Sequence, residues 1–390
     1  MSVTGRYAIA ADVVFDGAKI HQNSAILIEE SQIVAIAPRD AVSTSVDVYE
    51  APTGAWLAPG FIDIQVNGGG DALFNADPTP EGLTKIVAAH RRFGTTALVP
   101  TLITDADEIM TAALRAVETM LPREPGILGI HLEGPFLSPD KPGVHRRDLI
   151  RRPEPHHLQM LAAFRPGVLL VTLAPEVAPA GFIAELVAAG AKVSLGHSMA
   201  TYEQTRAAMA EGLTGFTHLF NAMRPLSARE PGPIAAALES PNAYYGLIVD
   251  GEHVAPAMLA LALRGAGHPM LVTDAMPPVG GAKHDFMLQG AEITVRDGRC
   301  VTSDGVLAGS SLDMATAVRN CVRLLGLPLE RALRFASTEP ADFLGVGHVL
   351  GRLAPGHRAD IVALDRSDLS VVATWVAGKK SDDGTKPDRT

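Results

Sequence analysis

The sequence predicts an α/β fold, a (β/α)8 TIM-type barrel with a small β-sandwich domain formed by both chain termini. Three observations lead there. From Leu57 onward, short apolar strand-like runs alternate with Ala-rich stretches of helical period, the pattern of βα units around a parallel sheet. Eight such runs are found, at 57–66, 95–102, 127–132, 168–173, 192–195, 215–219, 245–249 and 270–273. Both ends of the chain read instead as short β-type runs, so 1–56 and 347–390 are assigned to one small domain and 57–346 to the barrel.

Each element has its own signal. The N-terminal runs Asp12-Val13-Val14-Phe15 and Ala25-Ile26-Leu27-Ile28 are separated by Asp-Gly and Ser-Gln turn signals. Thr79-Pro80-Glu81 opens a helix to about Phe93, and Thr201 to Ala210 forms another that Gly212 stops. Gly68-Gly69-Gly70 lacks the Gly-Lys-Ser/Thr ending of a phosphate loop and reads as a flexible turn above the barrel. After Asp274 the alternation breaks. A hairpin from Phe286 to Val301 around Asp297-Gly298 is expected, then helices from Leu312 to Leu325, which Ser311 could cap, and from Pro328 to Ala336, with proline at the first helical position. Ala359–Asp365 and Thr374–Gly378 return to strand character, and the polar stretch from Lys379 is expected to fray.

Composition narrows the function classes. With 43 acidic against 33 basic residues and no Lys/Arg cluster, the field of the molecule opposes nucleic acid and anionic membranes. Two cysteines without a CxxC pair exclude a disulfide framework and a thiolate zinc site. The first twenty residues carry Asp12 and Asp16 where a signal peptide needs an apolar stretch, so a cytoplasmic protein is expected.

The polar residues that end the apolar runs carry the chemistry. Glu133 ends Gly129-Ile130-His131-Leu132, His197 follows Leu195-Gly196, His218 follows Thr217, and Asp274 follows Val272-Thr273. Parallel barrel strands present their carboxyl ends on one face, so these distant residues can converge. A zinc-type catalytic site uses three His, Glu or Asp ligands and keeps a position for water, and Glu133, His197 and His218 supply that number. A divalent ion lowers the pKa of a water bound to it, and Asp274 is the carboxylate to take that proton and return it to a leaving amine. Strand alternation aims His131 into the barrel one layer below Glu133. His156-His157 reads as a solvated pair in a Pro-rich approach to a helix.

These motifs, together with Pro59-Gly60-Phe61-Ile62-Asp63, Thr217-His218-Leu219-Phe220-Asn221-Ala222-Met223, Arg229-Glu230-Pro231-Gly232 and Asp250-Gly251-Glu252-His253, resemble the N-acetylglucosamine-6-phosphate deacetylase family of the amidohydrolase superfamily. The resemblance spans nearly the whole chain. It implies metal-dependent hydrolysis of the sugar amide to glucosamine 6-phosphate and acetate by a homodimer, in amino-sugar catabolism. Glu133, His197 and His218 would hold the metal, and Asp274 would be base and acid. Asn221, Ala222, Arg229 and His253 would hold phosphate and sugar, partly across the dimer interface, and the turn at Leu307 would close over the sugar. His145, in Gly143-Val144-His145, matches a histidine that polarises the acetyl carbonyl.

Two departures stand out. Many amidohydrolases bind a second metal through His-x-His after Gly-Phe-Ile-Asp, but here Gln65 and Asn67 occupy those positions. Amides are poor ligands for such an ion, so one divalent metal is expected, zinc first, with iron(II), manganese or cobalt as alternatives, and Gln65 and Asn67 become hydrogen-bonding neighbours of the site. Arg146-Arg147 follows His145 where the family more often has a small polar residue and proline. The alternatives are deacetylation of the epimeric N-acetylgalactosamine 6-phosphate and, in a different class, an inactive scaffold, which should have lost a ligand or the base.

Overall fold

A computed structural model describes residues 5–296 and 298–381. Eight parallel strands form the barrel: β1 (Phe61–Val66), β2 (Thr95–Ile103), β3 (Gly129–Glu133), β4 (Val168–Leu173), β5 (Lys192–Leu195), β6 (Gly215–Phe216), β7 (Tyr244–Leu247) and β8 (His268–Leu271). They are hydrogen-bonded in chain order from β1 to β8. The ring closes just past the strand ends, where Asp274 N–H donates to Gln65 O at 3.0 Å and Asn67 N–H to Ala275 O at 2.9 Å. β1, β2 and β3 are buried along their whole length, as expected of strands covered by side chains inside and helices outside. The helix Pro80–Arg91 shows how the outer layer forms: Thr79 caps it by accepting Gly82 N–H at 3.1 Å, and Leu83, Ile86, Val87 and His90 make its buried face.

The apolar run 57–66 is two strands. Trp56–Pro59 pairs with Ile361–Leu364 and with Arg6–Phe15 in the terminal sheet, and β1 begins after Gly60. A Cβ on Gly60 would stand 2.2 Å from the Thr96 side chain, so glycine alone permits the chain to pass from one sheet to the other. Hydrophobicity marks both halves as buried and is silent on which sheet each joins.

The terminal sheet has eight strands, drawn from residues 6–59 and 361–380. It folds around its own core, in which Ile9, Ile26, Ile28, Leu57, Ile361 and Trp375 meet. Lys379–Lys380, expected to fray, forms the last strand of this sheet against Trp375 and Val376; the rest of the polar tail lies outside the described residues.

Between β8 and the last helices, the expected hairpin is a four-stranded antiparallel sheet: Asp285–Leu288, Ala291–Arg296, Arg299–Val301 and Leu307–Ser310. Asp297, about which the hairpin was expected to turn, lies outside the described residues. Leu307-Ala308-Gly309-Ser310, expected from the resemblance to be a turn, is a strand, with Ala308 buried against the Ile103 and Met276 cluster. Asp313, not Ser311, caps the helix Met314–Leu325, accepting Thr316 N–H at 2.8 Å. Pro328 sits one residue before the helix Leu329–Ala336. Gly68-Gly69-Gly70 is no open turn: Gly68–Gly69 pairs with Ala72–Leu73, and a Cβ on Gly69 would meet the His90 ring at 2.8 Å. Cys300 and Cys321 are buried and unpaired, and among the described residues no helix is long and apolar enough to cross a membrane.

Candidate active site

The carboxyl ends of the barrel strands gather the polar residues that end the apolar runs. Glu133 is the last residue of β3; His197 lies two residues past β5, His218 two past β6 and Asp274 three past β8. His197, His218 and Asp274 all have left-handed backbone, with φ of +48°, +32° and +53°. Such backbone is strained for residues with a Cβ and persists only where the surroundings impose it, which is typical of functional sites. Here the surroundings are explicit. Ser138 N–H donates to His197 O at 2.9 Å, Ser198 N–H to Ala222 O at 3.0 Å, and Leu219 N–H to Gly246 O at 2.8 Å. Gly196 lets the β5 exit approach its neighbours, since a Cβ there would stand 2.5 Å from Thr172 Cγ2.

The donor atoms of Glu133, His197 and His218 lie within 4.8 Å of one another and all three residues are buried. Glu133 Oε1 is 3.1 Å from His197 Nε2 and 2.9 Å from His218 Nε2, and the two imidazole nitrogens are 3.1 Å apart. His197 Nδ1 donates to the carbonyl of Lys141 at 2.8 Å; a carbonyl can only accept, so the proton is on Nδ1 and Nε2 offers its lone pair inward. Burial works against the charge of Glu133, but the two neighbouring imidazoles outweigh it and hold its carboxyl well below the usual range, and the same carboxylate holds His218 above its own despite burial. A carboxylate oxygen and inward-facing imidazole nitrogens around one point fit a divalent cation.

The amides at the His-x-His positions serve the carboxylates. Asn67 Nδ2 donates to Asp274 Oδ1 at 2.6 Å, and Gln65 Nε2 bridges Asp274 Oδ1 at 3.2 Å and Glu133 Oε2 at 3.3 Å. Burial, and then the charge of Glu133, raise the Asp274 carboxyl above its ordinary pKa. His253 donates from Nδ1 to Asp250 Oδ2 at 2.6 Å. Burial keeps His145 well below the ordinary histidine range, so its ring is neutral.

Asn67, Glu133, His145, His197, His218, Asn221, Ala222, His253, Asp274 and Leu307 line one cavity of about 370 Å³. Gln65 and His131 border a far smaller space beneath it. His131 bonds to Thr101 Oγ1 at 3.1 Å and Thr172 Oγ1 at 2.8 Å, and burial lowers its pKa to about 4. Arg229 is exposed and does not line the cavity. His156-His157 is not a solvated pair: His156 is exposed, but His157 is buried with its ring edge-on to Phe136, because the start of the helix Pro155–Ala163 folds it inward.

Three residues were not anticipated. Asp63 is fully buried, accepts Thr273 Oγ1–H at 2.5 Å, and is pushed up to about 7 by burial. Alternation along β1 puts residues 63, 65 and 67 on one face, and that signal could have found it. Ser310 donates to Thr273 O at 2.5 Å and its N–H to Asp274 O at 2.9 Å, tying the extra sheet to the β8 exit. Thr104, just past β2, contacts His145 Nδ1 through both its hydroxyl at 2.8 Å and its N–H at 3.3 Å. It is the polar residue that ends the second apolar run, the same signal that pointed to Glu133.

Sequence comparison agrees with this geometry. Residues 56–381 match the amidohydrolase family model. The chain belongs to the amidohydrolase family. It is therefore a hydrolase, and its metal-fitting cluster lies at the mouth of the barrel. The chain is 42% identical to an N-acetylgalactosamine-6-phosphate deacetylase of Shewanella sp. (strain ANA-3), over 94% of this chain and 95% of that protein. Among solved structures it resembles N-acetylglucosamine-6-phosphate deacetylase from Pasteurella multocida, at 35% identity and a TM-score of 0.93 over 96% of this chain and 99% of that one. It also resembles a mutant of the Mycobacterium smegmatis N-acetyl-D-glucosamine-6-phosphate deacetylase in complex with N-acetyl-D-glucosamine-6-phosphate, at 36% identity and a TM-score of 0.89, with the same coverage.

Proposed function

We propose that this chain hydrolyses the N-acetyl amide of N-acetylglucosamine 6-phosphate to glucosamine 6-phosphate and acetate, as a cytoplasmic homodimer with one divalent ion per subunit. The observation that carries the reading is the placement of Asp274 beside the Glu133, His197 and His218 cluster, joined to it through Gln65. Those three residues would hold the ion, zinc first, with iron(II), manganese or cobalt as alternatives, and the ion when bound acidifies water and polarises a carbonyl oxygen. Asp274 takes the proton of the attacking water and delivers it to the amine nitrogen as the C–N bond breaks, leaving acetate and the free amine. Because Asn67 and Gln65 both donate to Oδ1, Oδ2 is the oxygen left to carry that proton.

Asn221, Ala222 and His253 line the part of the cavity suited to sugar and phosphate. The lining contains no lysine or arginine, so the guanidinium for a phosphate dianion must come from elsewhere. An exposed Arg229 of a second protomer, reaching into this cavity, supplies it in the homodimer.

The 42% relative, named for the galactosamine sugar, favours a second reading in which the epimeric N-acetylgalactosamine 6-phosphate is the substrate. Acetate release measured with both sugar phosphates separates them. A higher kcat/KM for the glucosamine compound supports the proposal, the reverse order replaces the substrate by its epimer, and no release of acetate from either, with the ion bound, rejects both.

A further inference from the structure

We infer that Thr104 is a positioning residue that fixes His145 as its Nε2–H tautomer, so that this ring donates a hydrogen bond to the acyl oxygen of the substrate. The second half of this inference rests on the amide hydrolysis proposed above; the first half stands on hydrogen-bond direction alone. His145 Nδ1 accepts the main-chain N–H of Thr104 at 3.3 Å. A main-chain N–H can only donate, so a proton on Nδ1 would face another proton, and a neutral ring must carry its proton on Nε2. The Thr104 hydroxyl lies 2.8 Å from the same nitrogen and 3.5 Å from Glu133 O, and with Nδ1 unprotonated it donates to the nearer nitrogen.

The neighbouring ring is set the opposite way. His197 Nδ1 donates to Lys141 O at 2.8 Å, which turns a lone pair toward Glu133 and His218. The two rings lie 4.3 Å apart between centroids, and both line the cavity. One thus offers an acceptor to a cation and the other a donor to an oxygen, each held by a main-chain group that cannot reverse its role. A neutral donor polarises a carbonyl without placing a second positive charge against the residues that hold the ion. The loop that carries His145 also carries Lys141, so the ring that Thr104 orients and the carbonyl that orients His197 sit on one segment.

The test is nitrogen NMR of protein labelled with ¹⁵N-histidine, the His145 signals being assigned by their loss in His145→Gln, together with steady-state kinetics on N-acetylglucosamine 6-phosphate. The wild type should show a pyridine-type Nδ1 and a pyrrole-type Nε2 at His145. Thr104→Val removes the 2.8 Å hydroxyl contact and leaves only the longer main-chain donor, so it should move both signals part-way toward tautomer averaging and lower kcat about tenfold with KM nearly unchanged, less than the ~10²–10³ lost when an oxyanion donor is removed outright. Thr104→Ser should restore both. A pyrrole-type Nδ1 in the wild type overturns the inference even if Thr104→Val does not fold. So does a Thr104→Val protein that is merely less stable, with tautomer and kcat unchanged. If the wild type releases no acetate, the function reading fails while the nitrogen signals still judge the tautomer.

Discussion

Two clusters in this molecule contain the same donors, two histidines and one carboxylate within 4.8 Å: Glu133 with His197 and His218, and Asp107 with His156 and His157. They differ in what holds the far side of each ring. His197 gives its Nδ1 proton to a carbonyl, so its Nε2 is free to bind a cation. His157 Nδ1 instead accepts the main-chain N–H of Glu154 at 2.9 Å, so its Nε2 carries the proton, 3.3 Å from Asp107 Oδ1. Asp107 is also paired with Arg151, a permanent cation where an ion would have to sit. The first cluster fits a metal ion, and the second is an ion-pair network at the start of a helix. Counting histidines and carboxylates does not separate them; the direction of one main-chain hydrogen bond does.

The widest gap between the clusters should appear in metal content. His218→Ala is expected to lose the ion and to fall below roughly a thousandth of wild-type turnover, while His157→Ala keeps metal stoichiometry and turnover within about twofold. Elemental analysis beside acetate release checks both, and equal metal loss in the two variants would erase the distinction. Next comes Asp274→Asn, which should keep its metal and lose at least about a hundredfold in kcat, since the ligands are intact and only the proton carrier is gone. A smaller shift is expected when Gln65 and Asn67 are both changed to histidine. Imidazoles at those positions can bind a cation where amides cannot, so stoichiometry should rise from about one ion per chain toward two. A stoichiometry fixed at one would mean that something other than Gln65 and Asn67 limits the site.

The site was legible because its residues obey one rule, a polar side chain at the end of an apolar run, and barrel strands bring such ends together. Glu133, His197, His218 and Asp274 follow it, and Thr104 follows it too, hidden because the second run was ended at Leu102 although β2 continues to Ile103. The fold class was legible for the same reason, in alternating apolar runs and helical stretches. What periodicity could not carry was partner choice. The run 57–66 belongs to two sheets because of a glycine contact with Thr96, and Leu307–Ser310 is a strand because Ala308 packs against the Ile103 cluster. His157 looked solvated beside its twin because nothing in a His-His pair says which ring a helix start folds inward. Arg229 shows the opposite limit: its motif places it at the substrate only by resemblance, while its own chain leaves it exposed.

The smallest effects belong to the second cluster, and they are effects on stability. His157→Ala removes the acceptor of Glu154 N–H and the edge-on contact with Phe136, whose centroid is 5.0 Å away, and should cost about 1–3 kcal/mol in a urea titration. Asp107→Asn should cost less, roughly 0.2–1 kcal/mol, because its pairs with Arg151 and His156 are half-exposed. Partial burial raises the Asp107 carboxyl, but hydrogen bonds from His156 and Arg151 outweigh it and hold the group below its ordinary value. A carboxyl lowered by folding stabilises the folded state above its unfolded pKa, about 3.9, and that contribution is lost as pH falls through the lower folded value. The difference between wild type and Asp107→Asn should therefore be full at pH 7 and shrink progressively below about pH 4. A difference that persisted undiminished well below the carboxyl's folded pKa would show that Asp107 acts as an uncharged acceptor, and the cation-paired network would no longer explain why this cluster, with the same residues as the first, leaves no place for a metal.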